Sequence, residues 1–341
     1  MNRRGFSKAF LLAAGALLRR QSAAAGEATA ADKPDQTAEL MRNPNAVAGT
    51  LGGKQFWADE RFFHQWHIQR NSFTGHYRLL DGTNRRHAWG TFDECLAVLD
   101  EIKHKEKLPP MKGRAVVVLH GLFRTPSAMS KMCGYLRDEG NLSVFNVTYP
   151  TTRAAVAQHA AQLAGIIEHL DGIEEIHFVA HSLGNLVIRH YLGDTDSEGG
   201  KSPDPRIKRI VMLGPPNGGA RLAEILNRTR VFGLVAGQSA LQIAKDWSSL
   251  SEHLATPKCE FGIIAGAKGN TRGYNPILRE DNDLVVSVES TRLPGAADFA
   301  VVPVVHTFLM DDPLVQQYTL RFLKHGYFIS PEKRNPIPTV G

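Results

Sequence analysis

The sequence predicts an α/β fold, in which a mostly parallel central sheet carries helices on both faces. From residue 113 onward, short apolar runs rich in β-branched residues alternate with helical segments. This alternation is typical of βαβ units, whose right-handed crossovers place helices on both faces of a parallel sheet. The predicted strands cover 115–119, 143–147, 176–180, 207–213, 259–265 and 299–304. The predicted helices cover 129–137, 153–170, 183–192 and 313–323.

The composition indicates a globular protein. Of the 341 residues, 43% are hydrophobic and 22% are charged, which suits one large domain with a small one beside it. No uninterrupted apolar stretch reaches the roughly 18 residues that a transmembrane helix needs, so we predict no membrane span in the mature chain. The cysteines Cys95, Cys133 and Cys259 lie far apart without metal-type spacing. We interpret them as small buried apolar residues, and one disulfide between two of them is the alternative.

Residues 1–25 have the features of an export signal. A basic start with Arg3 and Arg4 precedes an apolar run over 9–18, and an Ala-rich segment follows. This order predicts a signal peptide, and the paired arginines before Gly-Phe resemble the twin-arginine signal. We therefore predict a periplasmic or extracellular protein exported by the twin-arginine route. An ordinary secretory signal and an uncleaved N-terminal anchor are the alternatives.

The positive charge of the chain comes mostly from this same segment. Residues 1–25 hold five basic residues and no acidic one, so the formal net charge of +6 falls to about +1 without them. A nearly neutral mature chain has no electrostatic reason to bind nucleic acid. We predict no nucleic-acid partner.

The remaining chain divides into four parts. Residues 26–53 lack periodicity and are predicted as a flexible linker, and residues 331–341 as a C-terminal tail. Residues 54–108 are predicted as a small accessory module, and residues 109–330 as the α/β domain.

The accessory module has the pattern of a β-meander followed by one helix. Strand-like runs cover 66–70, 75–80 and 87–89, with polar turns between them. Thr91 and Glu94 form a capping-box pattern that begins a helix. We interpret the aromatic residues of the module as its own core.

The most informative pattern surrounds Ser182. The apolar run 176–180 leads directly into Ala180-His181-Ser182-Leu183-Gly184, and a predicted helix follows. This is a Gly-x-Ser-x-Gly pattern with alanine in the first position, in the strand–turn–helix context of a nucleophile elbow. Small residues are needed beside the serine because strand and helix approach closely there. The pattern predicts Ser182 as a nucleophile.

A second motif predicts where an oxyanion would be stabilised. His120-Gly121-Leu122 follows the first strand of the parallel region. The loop after this strand and the residue after the nucleophile each supply a backbone N–H to an oxyanion hole, which predicts Leu122 and Leu183. We assign His120 to shaping the loop, because the catalytic base comes last along the chain in this arrangement.

The acid and base are predicted by their order, which is serine, then acid, then histidine. Asp283 lies in a polar loop after strand 259–265 and leads into an apolar run, and Asp281 is the alternative. His306 comes just after the last predicted strand. In these roles His306 removes the proton of Ser182, and Asp283 orients the imidazole.

Residues 113–328 resemble the bacterial lipases and esterases of the α/β-hydrolase superfamily. The resemblance rests on His120-Gly121-Leu122, Ala180-His181-Ser182-Leu183-Gly184, residues 213–219, Asp281-Asn282-Asp283 and residues 306–310. It implies an α/β-hydrolase fold and hydrolysis of carboxylic esters as a lipase or carboxylesterase, with a small-molecule or lipid acyl ester as substrate. An acyltransferase or amidase using the same triad, or a non-catalytic binding protein, are the alternatives.

The insertion 215–258 contains apolar runs at 231–236 and 241–244. We predict a cap over the site, which would allow transient contact with a lipid surface; a helix pair packed on the domain is the alternative. No phosphate loop, dinucleotide fingerprint or zinc spacing is present, so we predict no cofactor or metal. The sequence does not define the oligomeric state.

Overall fold

The computed structural model describes residues 48–49, 54–196, 203–219, 239, 242 and 245–339. Two sheets are present in this part of the chain, a small antiparallel sheet and a larger parallel one. The predicted signal peptide and most of the predicted linker lie outside the described residues, so export remains a prediction. Among the described helices, none is both long enough and apolar enough to cross a membrane.

The antiparallel sheet has five strands in the order β1-β5-β4-β3-β2. Its elements are β1 (Ala48–Gly49), β2 (Trp57–Phe63), β3 (Trp66–Asn71), β4 (Tyr77–Leu80) and β5 (Arg85–Gly90), followed by helix α1 (Phe92–Lys105). Thr91 and Glu94 form the predicted capping box of α1. Ile68, Leu79 and Leu99 are buried between the sheet and the helix.

The sequence pattern did not predict β1 or β2. β1 lies inside the predicted linker, where it pairs with β5. In β2, charged residues at 59–61 interrupt any alternation of apolar and polar side chains. Asp59 is nevertheless fully buried, and Phe62 of the same strand belongs to the main core. The predicted accessory module therefore packs directly on the α/β domain.

The parallel sheet has six strands in the order β11-β10-β9-β8-β6-β7, and all neighbouring pairs are parallel. Its strands are β6 (Gly113–Leu119), β7 (Ser143–Val147), β8 (Ile173–His181), β9 (Ile207–Leu213), β10 (Glu260–Gly266) and β11 (Asp298–Val302). The helices after α1 are α2 (Ser130–Asp138), α3 (Val156–Glu168), α4 (Leu183–Asp196), α5 (Trp247–Glu252), α6 (Val288–Thr291) and α7 (Pro313–His325). The predicted α/β fold class is confirmed.

Strand β6 shows why its sequence is a continuous apolar run. Successive side chains of a strand point to opposite faces. Val117 and Leu119 lie in the core cluster that includes α3 and α4, whereas Val116 and Val118 lie in the cluster that includes α2 and α7. Both faces of the sheet are therefore covered by helices, as parallel sheets require.

Parts of the predicted cap and of the predicted C-terminal tail pack against the α/β domain. Within the predicted cap, Leu250 and Leu254 are buried in the main core, so the described residues 247–254 pack on the domain. The apolar run 231–236 lies outside the described residues. Ile337 of the predicted C-terminal tail exchanges backbone hydrogen bonds with Gly295 and Ala296, which holds the tail beside the start of β11.

The three cysteines are free thiols, and burial raises their pKa values, to about 12 for Cys133 and about 11 for Cys95 and Cys259. At pH 8 we expect the native protein to react slowly with a thiol reagent, because the reactive thiolate is scarce below the pKa. When the chain is denatured without reductant, all three thiols should react, and an absorbance assay with a chromogenic thiol reagent should count three thiols per chain. A single equivalent would instead show a disulfide.

Candidate active site

Ser182 lies between the end of β8 and the start of α4. Its φ of 52° is in the left-handed region, where a non-glycine residue is strained by about 1–3 kcal/mol. Its backbone N–H donates to the carbonyl of Leu213 at 3.0 Å. The serine is half-buried, and so keeps some contact with solvent. A strained serine at a sharp strand-to-helix turn is the geometry that presents a nucleophile.

Two glycines allow the surrounding backbone to approach this turn. A Cβ added to Gly184 would lie 2.8 Å from Cβ of Leu119 and 3.1 Å from the carbonyl oxygen of His120. A Cβ added to Gly121 would lie 3.2 Å from Cβ of Ser182. The loop after β6 therefore touches the serine only because these positions lack side chains.

This contact places the predicted oxyanion donors beside Ser182. Leu122 follows Gly121 directly and is half-buried. Leu183 is the first residue of α4, and the N–H groups of the first helical turn have no carbonyl partner within the helix. The positive end of the helix dipole also favours negative charge at this point.

His306 and Asp283 are joined directly. Nδ1 of His306 lies 2.7 Å from Oδ2 of Asp283, and the His306 backbone N–H donates to the Asp283 carbonyl at 2.8 Å. The Asp283 side chain is fully buried, and its other oxygen accepts hydrogen bonds from the N–H groups of Val285 and Val286. With Nδ1 of His306 engaged by the carboxylate, Nε2 is the ring nitrogen that can face another group.

Asp281 has a different set of partners. Its carboxylate accepts hydrogen bonds from the backbone N–H groups of Lys268, Gly269 and Asn282. These bonds close the turn after β10. Of the two predicted acids, it is therefore Asp283 that binds His306.

His306 lies at the same end of the sheet as Ser182. Nε2 of His181, the residue before the serine, is 3.0 Å from the carbonyl oxygen of His306, and the two rings are 4.6 Å apart. A Cβ on Gly214, which follows the Leu213 that binds the Ser182 N–H, would lie 3.0 Å from Nδ1 of His306. Burial, together with the neighbouring His306, holds the pKa of His181 well below its ordinary value, so His181 is neutral.

His120 is buried beneath the loop that it precedes. Its ring stacks on Tyr149 at 4.3 Å, and the Tyr149 hydroxyl donates to the His120 carbonyl. Burial lowers the pKa of His120 to about 4, so the ring is neutral at physiological pH. Its contacts are those of a residue that shapes the loop.

The sequence reasoning missed the residues that hold this loop. Tyr149 binds the His120 carbonyl, and the Thr151 hydroxyl accepts from the N–H of Phe123. The segment that carries both is held by Asp59 of β2, which receives the Thr148 N–H on its carboxylate and donates its own N–H to the Thr148 carbonyl. The signal in the sequence is a charged residue within a strand, which is ordinarily taken for a solvent-facing position.

The loop of Asp283 has its own support, also missed. Asn282 is fully buried, and its side-chain oxygen accepts hydrogen bonds from the N–H groups of Asn275 and Leu284. Its amide donates to the carbonyl of Glu280 at 2.7 Å. Leu284 has a φ of 91°, so the turn after Asp283 is strained.

Within the described residues, the one group with metal-type ligands is His190, Asp194 and His253. It lies at the end of α4 away from Ser182 and takes no part in the contacts above.

A family model described as Domain of unknown function (DUF7379) matches residues 84–256, which is half of the chain. The matched range contains Ser182 and ends before Asp283 and His306. No curated protein matches the chain.

Among solved structures, the chain is similar to the product of the gene lin2722 of Listeria innocua, with 16% identity, a TM-score of 0.45, and coverage of 67% of this chain and 99% of that one. Phospholipase PlaB from Legionella pneumophila is also similar, with 16% identity, a TM-score of 0.45, and coverage of 62% and 58%. A thermophilic esterase from Thermogutta terrifontis has 17% identity, a TM-score of 0.42, and coverage of 63% and 91%.

The chain has the α/β-hydrolase fold. Its parallel six-stranded sheet is covered by helices on both faces, and Ser182 occupies the strand–turn–helix junction after β8. The additional antiparallel sheet precedes this fold in the chain.

Substitution of Gly184 by alanine tests the close approach at the elbow. We expect the free energy of unfolding to fall by about 1–3 kcal/mol, since the new Cβ would meet backbone and Cβ atoms at 2.8–3.1 Å. Gly134→Ala in α2 is the matched control, because its Cβ would meet nothing within 4 Å, and alanine there stabilises a helix by about 0.5–1 kcal/mol. Urea denaturation measures both, and equal effects would contradict the tight packing.

Proposed function

We propose that this chain, which belongs to the family described as Domain of unknown function (DUF7379), is a serine hydrolase that cleaves carboxylic acyl esters. The observation that carries the proposal is the buried Asp283–His306 pair at the sheet end where the strained Ser182 is presented. Nucleophile, base and orienting acid follow the chain order of hydrolases with this fold.

The reaction proceeds in two halves. Nε2 of His306 accepts the proton of Ser182 as Oγ attacks the ester carbonyl, and the resulting imidazolium is stabilised by Asp283. The tetrahedral intermediate collapses, the C–O bond to the alcohol breaks, and His306 protonates the leaving oxygen. Water then attacks the acyl-enzyme with the same base, which releases the carboxylic acid and restores Ser182.

The backbone N–H groups of Leu122 and Leu183 stabilise the oxyanion that forms in each half. Fixed donors of this kind contribute about 3–4 kcal/mol each to lowering the barrier. The hydrogen bonds of Tyr149 and Thr151 hold the loop, so that its donor does not have to be ordered during the reaction.

Apolar side chains next to the site favour a water-poor acyl substrate. Phe123 is 38% exposed, Leu284 is 45% exposed and Phe308 is 56% exposed. In the chain, each of these side chains lies within two residues of a proposed site residue, namely Leu122, Asp283 or His306. These side chains support a lipase or carboxylesterase that makes transient contact with a lipid surface.

Hydrolysis of nitrophenyl esters from acetate to palmitate, measured with the full chain and with Ser182→Ala, tests the function. We expect activity to fall by about 10⁴-fold or more in Ser182→Ala. Ser248→Ala, an exposed serine in α5, should retain full activity.

The dependence of activity on acyl-chain length distinguishes a lipase from a carboxylesterase. Activity that rises with chain length indicates a lipase, and activity on short chains alone indicates a carboxylesterase. Absence of serine-dependent activity on every ester would overturn the proposal in favour of an acyltransferase, an amidase or a non-catalytic protein.

The two aspartates provide a second test. Asp283→Asn should lower kcat by about 10³–10⁴-fold with little change in KM, because His306 loses the partner that sets its tautomer. Asp281→Asn is the matched control and should lower kcat much less, since among the described residues the partners of its carboxylate are backbone N–H groups. Steady-state kinetics of both variants measure the difference; a larger loss in Asp281→Asn would reverse the assignment.

A further inference from the structure

We propose that His190, Asp194 and His253 form a binding site for a divalent transition-metal ion, with Zn²⁺ as the ion that their chemistry fits best. His190 and Asp194 stand one turn apart on α4, and His253 follows α5 directly. Two parts of the fold that are distant in sequence therefore contribute ligands.

The ligand atoms lie close enough together for one tetrahedral ion to bind all three once the side chains adjust. Nδ1 of His190 lies 3.0 Å from Oδ2 of Asp194, and the ligand atoms of all three residues lie within 4.8 Å of one another. Zn–N and Zn–O bonds of about 2.0–2.2 Å separate neighbouring ligand atoms by roughly 3.3 Å and the centres of two bound imidazoles by roughly 5 Å. The ring centroids of His190 and His253 are 5.3 Å apart.

The backbone that carries His253 is fixed against α4. The Arg189 side chain donates to the carbonyls of Leu254 and Ala255 at 2.9 Å each, and the Ala255 N–H donates to the Arg189 carbonyl. Gly193 permits this approach, because a Cβ there would lie 2.1 Å from the His253 carbonyl oxygen. Binding an ion therefore requires only side-chain adjustment.

The donor set selects among ions. Two imidazoles and one carboxylate suit Zn²⁺ and its neighbours Co²⁺, Ni²⁺ and Cu²⁺, whereas Mg²⁺ and Ca²⁺ prefer oxygen ligands. Three protein ligands leave the fourth position to water.

The ion would have a structural role and would take no part in ester hydrolysis. His190 follows Ser182 by two turns of α4, which at 1.5 Å per residue places it about 12 Å along the helix. An ion there cannot contact an oxyanion at the serine. It would instead join the end of α4 to the end of α5 and stabilise the folded state by mass action.

The test uses the full chain, produced without a polyhistidine tag and freed of metal with a chelator. Titration with Co²⁺, followed by visible absorption, should show one tightly bound ion per chain, and Zn²⁺ should displace it. Zn²⁺ should also raise the Tm. Asp194→Asn and His253→Ala should weaken Co²⁺ binding at least tenfold. Both positions are exposed, so the fold should survive.

His104→Ala, which removes an exposed histidine of α1, is the control and should bind Co²⁺ as the parent does. The proposal is overturned if the parent chain binds no Co²⁺ or Zn²⁺, or if Asp194→Asn and His253→Ala bind as tightly as the parent. Circular dichroism of each variant distinguishes loss of the site from loss of the fold.

Discussion

The candidate site depends on the close approach of the loop after β6 to the turn between β8 and α4. Gly121 and Gly184 make this approach sterically feasible, because a Cβ at either position would lie within 3.0 Å of a neighbouring atom, closer than real Cβ atoms come. The approach brings the two proposed oxyanion donors to the strained serine. The strained backbone of Ser182 costs about 1–3 kcal/mol, so the packing around it must contribute enough stability to offset that cost.

That packing comes from a sheet buried on both faces. The strands that end at the site are continuously buried toward their carboxyl ends, and two separate core clusters cover them. Removing such side chains from water is the main source of stability, and it holds the strand ends in fixed register. The polar groups at the strand ends are then positioned by hydrogen bonds to the backbone, as Asp283 is by Val285 and Val286.

The N-terminal sheet contributes to the same arrangement. Asp59 is a buried carboxylate whose oxygens accept hydrogen bonds from Thr148, His67 and Gln69. A buried charge is tolerated when its hydrogen bonds are satisfied in this way. Since Thr148 precedes Tyr149, the N-terminal sheet is connected through these two residues to the loop after β6, which carries the proposed oxyanion donor Leu122.

The sequence by itself determined the α/β class, the six parallel strands, the position of Ser182 and the candidates Asp283 and His306, because buried strands and the elbow have local patterns of apolar and small residues. Only the tertiary structure decided that Asp283 rather than Asp281 binds His306, that Asp59 is buried, and that His253 lies beside His190. Contacts between segments distant in the chain leave no local periodicity, so they depend on how the elements pack.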